Sequence, residues 1–268
     1  EYCLNNYLYI LKYGVEQEET NNNGVLIAEI YSEKLEHLYT KEIDDAAYKY
    51  EAKLVSEGEK VYLYYADALN RIYRLNLSDK NAERECIVDF SEKESDRIRV
   101  DGKSGSTVYY SYALTGYPDV FRHGAIDIST GKTEEFGCGG VLRYVTEERL
   151  ILFGDDVYYS EIDTVDIVEI NNPGIIKKLC LAEAATSIEE CTQERIYTFD
   201  GYEKNGVSVY SLSSGKRLGS IIPNDAGITA IYKVLEISDG YALLSCDGAL
   251  YIWRYGESSG NVEVSALT

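Results

Sequence analysis

A short pattern returns along this chain at intervals of roughly 45 residues. It consists of a β-patterned run ending in Asp, a brief turn, and a second alternating run. Val61-Tyr62-Leu63-Tyr64-Tyr65-Ala66-Asp67 leads into Ile72-Tyr73-Arg74-Leu75-Asn76-Leu77. The first half recurs at Leu150 to Asp155, Arg195 to Asp200 and Leu243 to Asp247. The closing residues Asp67, Asp155, Asp200 and Asp247 stand 88, 45 and 47 positions apart. The double interval holds a skipped unit at Thr107-Val108-Tyr109-Tyr110-Ser111-Tyr112.

Each second run ends on a signal of its own. Ile128-Ser129-Thr130-Gly131-Lys132 and Leu212-Ser213-Ser214-Gly215-Lys216 read as tight hairpins, with Gly in the positive-φ position. A fourth, outer run follows at Glu83 to Val88, Thr133 to Phe136, Arg217 to Ile222 and Val262 to Leu267. No stretch has convincing helical periodicity; the nearest is Leu179 to Thr186, in an insertion. One such four-stranded unit cannot bury both faces of its sheet, whereas a ring of them can, and the ring also protects the sheet edges. The expected fold is all-β: a β-propeller of six blades, each of four antiparallel strands. It is one domain over 1–268, with blades at approximately 1–43, 44–89, 90–138, 139–182, 183–223 and 224–268.

Composition narrows function mainly by exclusion. Lys and Arg number 26 against 46 Asp and Glu, a net charge of −20, which opposes nucleic-acid binding. No apolar run approaches the roughly 18 residues of a membrane span. Tyr occurs 26 times, often in doublets, as suits a pleated surface packed on one side and wet at its rim. Met is absent, position 1 included, so a trimmed or processed start is expected, with room for an upstream signal or anchor. The six cysteines form no Cys-x-x-Cys pair and are expected to be small core residues with free thiols.

The run Tyr64-Tyr65-Ala66-Asp67, followed four residues later by Ile72-Tyr73-Arg74-Leu75-Asn76-Leu77, resembles the YWTD repeat of low-density-lipoprotein-receptor-type six-bladed propellers. Related domains of bacterial surface proteins resemble it more closely. Only blade 2 follows the motif well; the other blades keep the Asp. Cys246-Asp247-Gly248-Ala249-Leu250-Tyr251-Ile252-Trp253 is closer to a WD40 strand pair, without the Gly-His signature of that family. The resemblance implies a binding platform and carries no catalytic residue across. It also favours an extracellular or surface-attached bacterial protein, while the free thiols favour the cytoplasm.

Ligand-binding candidates come from the loops between second and third strands, where a closed ring would gather Asp67, Asp155, Asp200 and Asp247 at one mouth. The competing role for these residues is closing their own turns, as in Asp200-Gly201 and Asp247-Gly248. Thr115 to His123 adds Tyr117, Arg122 and His123, an aromatic and cationic mixture enriched at binding hot spots. Val15 to Gly24 reads as an acidic hairpin tip, and Asn171 to Ser187 as a long connection able to cover one mouth of the channel. With His37 and His123 the only histidines, a catalytic triad would need one of the two. No nucleophile elbow, phosphate loop or dinucleotide fingerprint is present. No cofactor is called for; calcium is the open alternative, since carboxylates suit it. The leading expectation is a monomeric, non-enzymatic module that binds a protein, peptide or glycan through an acidic loop face. The alternatives are a glycan-active hydrolase or lyase using axial carboxylates, and the ectodomain of a surface sensor.

Overall fold

The structure, a computed structural model, describes residues 2–14, 25–43, 52–92, 95–114, 117–136, 140–153, 162–172, 176–200, 206–223, 227–228, 230–238, 240–246, 249–255 and 263–267. Tertiary contacts divide the chain into two compact units, Glu1–Gly139 and Gly140–Thr268.

The first unit holds three sheets, each of four consecutive antiparallel strands. Blade 1 comprises β1 (Tyr2–Leu4), β2 (Tyr7–Gly14), β3 (Val25–Tyr31) and β4 (His37–Ile43). Blade 2 comprises β5 (Lys53–Glu57), β6 (Lys60–Ala66), β7 (Arg71–Asn76) and β8 (Glu85–Asp89). Blade 3 comprises β9 (Ser95–Ser104), β10 (Thr107–Leu114), β11 (Tyr117–Asp127) and β12 (Lys132–Phe136). The tyrosine doublets follow from burial on both faces of a sheet, because successive side chains of a strand point opposite ways. Leu63 and Tyr65 of β6 pack with Tyr9, Leu26, Ala28 and Ile30 of blade 1. Tyr64 and Ala66 pack instead with Val108, Tyr110, Tyr112 and Ile126 of blade 3. Tyr64 and Tyr65 are both fully buried as a result.

Tyr110 lies across Gly124, where a Cβ would fall 2.3 Å from the ring. Strand pairing sets these two residues opposite each other, so glycine leaves the ring its space.

The second unit contains β13 (Val141–Val145), β14 (Arg149–Phe153), β15 (Ile162–Glu169), β16 (Ile176–Cys191), β17 (Arg195–Asp200), β18 (Gly206–Ser211) and β19 (Arg217–Ile221) in one seven-stranded sheet. A further four-stranded sheet holds β20 (Lys233–Ser238), β21 (Tyr241–Cys246), β22 (Ala249–Arg254) and β23 (Glu263–Leu267). The seven-stranded sheet is two blades joined by one long strand. The first part of β16 pairs with β15 as the outer strand of blade 4, and its second part pairs with β17 as the inner strand of blade 5. The expected covering connection at Asn171 to Ser187 is thus corrected: from Ile176 onward it is sheet. Ile151, Val165, Ile167 and Leu179 pack against Ile196, Tyr210 and Leu212 between blades 4 and 5. Val207 and Val209 meet Val234, Ala242, Leu244 and Trp253 between blades 5 and 6.

Gly131 and Gly215 take positive φ, 70° and 74°, as the Ser-Thr-Gly-Lys and Ser-Ser-Gly-Lys turns require. The cysteines divide. Cys246 is buried, and burial, then Glu190 beside it, pushes the thiol of Cys191 up to about 12. Cys86, on an outer strand, and Cys180 are exposed and so are not core residues. Among the described residues no helix is long and apolar enough to cross a membrane.

Candidate functional site

Asp67 follows β6 and closes its turn. Its Oδ1 accepts the backbone N–H of Leu69 and of Arg71, each at 2.9 Å, and its Oδ2 accepts Arg71 Nε at 2.7 Å. Asp200 holds the equivalent place at the end of β17. Its Oδ1 accepts Thr198 Oγ1 at 3.1 Å, and its Oδ2 accepts Ser208 Oγ at 2.5 Å. Both side chains are buried, with their oxygens directed into their own blades. Asp155 and Asp247 lie outside the described residues, as does the tip at Val15 to Gly24.

The segment expected as a loop at Thr115 to His123 is mostly strand, since β11 begins at Tyr117. Arg122 and His123 are consecutive on that strand and face opposite sides; Arg122 is exposed and His123 fully buried. The side chain of Tyr117 lies outside the described residues. His123 belongs to a buried polar row. Ser111 Oγ donates to Asp101 Oδ2 and lies 2.7 Å from His123 Nδ1. Asp101 also accepts Arg99 Nε at 2.8 Å, and the imidazole stacks on Phe136 with centroids 6.0 Å apart. A serine hydroxyl has one proton. With that proton on Asp101, the 2.7 Å contact requires His123 Nδ1 to be the donor. A catalytic triad places histidine between carboxylate and serine. Here serine lies between the two, with no exposed surface, so the row stitches β9, β10 and β11 together.

A different place offers access. Blades 4 and 5 begin their second strands with related turns, Thr146-Glu147-Glu148-Arg149 and Thr192-Gln193-Glu194-Arg195. In each, the threonine N–H donates to the arginine carbonyl at 2.9 Å. The threonine Oγ1 accepts the arginine N–H, at 3.0 and 3.2 Å respectively. The turns stand at the opposite end of β17 from Asp200. With Ser211, Ser213 and Leu218 they line a groove of about 560 Å³, a size typical of ligand sites.

The two arginines bind inward. Arg149 donates to Glu169 Oε1 at 3.0 Å and to the Gln193 carbonyl at 2.6 Å. Arg195 donates to Glu236 Oε1 at 2.8 Å, and Glu236 also accepts Tyr197 Oη at 3.1 Å. Burial, then the bond with Tyr255, raises the Tyr197 phenol far above its ordinary range, so it stays a neutral donor. Glu148 and Glu194 turn outward, with side chains 66% and 75% exposed and only loose contacts, 3.8 and 3.7 Å, to their neighbouring arginines. Glu147 completes the acidic rim. Among the described residues no group of three or more His, Cys, Asp or Glu is arranged to hold a metal ion. The recurrence of Thr-x-Glu-Arg after 46 residues was the sequence signal for this groove; chain order alone does not show that the turns adjoin.

Comparison with solved structures establishes the fold as a β-propeller, here of six blades. The β-propeller domain of Cps50 (Swd1) from Myceliophteria thermophila is similar, with a TM-score of 0.56 at 11% identity, over 87% of this chain and 80% of that one. The β-propeller domain of the Trilobed protease from Pyrococcus furiosus, described as having an open velcro topology, matches with a TM-score of 0.56 at 14% identity, over 98% and 81%. The WD40 repeats of RRP9 match with a TM-score of 0.54 at 13% identity, over 95% and 82%. No protein-family profile and no curated protein matches the sequence.

Proposed function

We propose that this chain is a non-enzymatic binding module that takes a basic segment of a protein partner in the groove between the second-strand turns of blades 4 and 5. One observation carries the reading: the groove presents outward carboxylates while its two arginines are already bonded to Glu169 and Glu236. The field at its mouth is therefore anionic, and it suits lysine or arginine side chains. The similarity to WD40 propellers supports a protein partner. The acidic surface differs from the one expected at Asp67 and Asp200, whose carboxylates close their own blades. A peptide array of acidic, neutral and basic sequences, run beside a glycan array, tests the proposal. Selective retention of basic peptides is the expected result. Retention of glycans alone, or turnover of an array component, contradicts it.

A further inference from the structure

Gln193 is the second residue of the blade 5 turn and lines the groove. It offers an acceptor on its backbone and another on its side chain. The backbone carbonyl accepts the Arg149 guanidinium at 2.6 Å, so an arginine of the neighbouring blade already docks on this turn. Among the described residues, the side-chain oxygen Oε1 is a buried acceptor bonded to no donor. Leaving it so costs the free protein stability that a donor brought by a ligand recovers. The two related turns also differ at this position: blade 4 has Glu147 and blade 5 a neutral amide, while Glu148 and Glu194 match one residue on.

The surroundings decide which donor fits. The groove's own cations are committed, Arg149 to Glu169 and the Gln193 carbonyl, Arg195 to Glu236. Ser211 Oγ pairs with Ser213 Oγ at 2.9 Å and accepts the Ser214 N–H at 3.2 Å. Glu194, next to Gln193, has an exposed and loosely held carboxylate, and Leu218 adds an apolar wall. A fitting group carries positive charge on an apolar stem and donates both to a carboxylate and to an oxygen already out of water. An ammonium is a compact, strongly hydrated charge and loses that hydration here. A guanidinium is planar, more weakly hydrated, and has donors on two edges, one for the carboxylate and one for the amide. Gln193 is half-buried, and the terminal torsion of a glutamine is broad, so its amide turns toward the groove without backbone movement.

We propose that the groove selects arginine over lysine, with Gln193 Oε1 as the acceptor that makes the distinction and Glu194 holding the other edge of the guanidinium. This rests on the reading of the groove as a site for a basic segment and goes beyond it by naming the side chain.

Two peptides of equal length and charge, one built on arginine and one on lysine, are titrated calorimetrically into the wild type, Gln193→Leu and Gln193→Glu. Leucine removes the acceptor at similar size; glutamate restores one, using the residue of the sister turn. The arginine peptide is expected to bind the wild type roughly tenfold more tightly, about the worth of one hydrogen bond to a charged donor. Gln193→Leu is expected to keep binding both peptides but lose the preference, and Gln193→Glu to retain it. Equal affinities in the wild type, or a preference that survives Gln193→Leu, overturn the assignment while leaving the basic-segment reading in place. Binding of neither peptide overturns that reading and this one with it. Gln193→Leu is also expected to melt no lower than the wild type, because Oε1 has no bond to lose. A drop of several degrees shows that the amide is bonded in the folded protein and overturns the proposal.

Discussion

Ser111 is a single hydroxyl shared by two buried polar groups, Asp101 and His123. Replacing it with alanine leaves each of them short of one bond without relieving their burial. Ser111→Ala is therefore expected to lower unfolding free energy by about 1–3 kcal/mol in urea denaturation. Glu190 gives a pH-dependent counterpart. Burial raises its carboxyl above the ordinary value, so the folded state holds a proton that the unfolded state releases. Stability then declines as pH rises from the unfolded value through the raised folded one. Glu190→Gln should flatten that decline and stabilise the protein at neutral pH, as measured by melting temperature from pH 4 to 8 (about the span over which a raised carboxyl titrates). A steeper decline would contradict the assignment.

At the scale of elements, the paired turns differ in how deeply their arginines are held. Arg195 and Glu236 are 11% and 14% exposed, whereas Glu169, opposite Arg149, is 44% exposed. Removing Arg195 leaves a buried carboxylate with a phenol for company. Arg195→Ala is expected to destabilise by about 2–3 kcal/mol and Arg149→Ala by about 1 kcal/mol, compared by chemical denaturation. Strand order and turn chemistry were legible in the chain: the alternation about Tyr64-Tyr65 and the glycines at 131 and 215 announced both. The strand β16 was not, because Leu179 to Thr186 is rich in Ala and Leu, residues that favour helix until neighbouring strands claim them. Gly116, Tyr117 and Pro118 imitate a turn in sequence, which hides the strand that carries His123. Its buried partners come from β9 and β10, separated from it by 22 and 12 residues. The threonine–arginine turns were present as a repeat, yet their outward charge becomes visible only once both arginines are seen to bind inward.

For the whole molecule, the weak repeat in the sequence becomes six blades of antiparallel strands, three in each unit, whose turns vary in sequence while the strands keep their core pattern. In the proposed function, the net charge of −20 supplies a long-range attraction for a basic partner and the groove a local one. The most direct test is calorimetric titration of a short lysine- and arginine-rich peptide into the wild type and into the combined Glu147→Gln, Glu148→Gln and Glu194→Gln variant. Saturable binding that weakens with salt and falls roughly tenfold or more in the variant is the result this account expects. An affinity that is unchanged when those three charges are removed would contradict it.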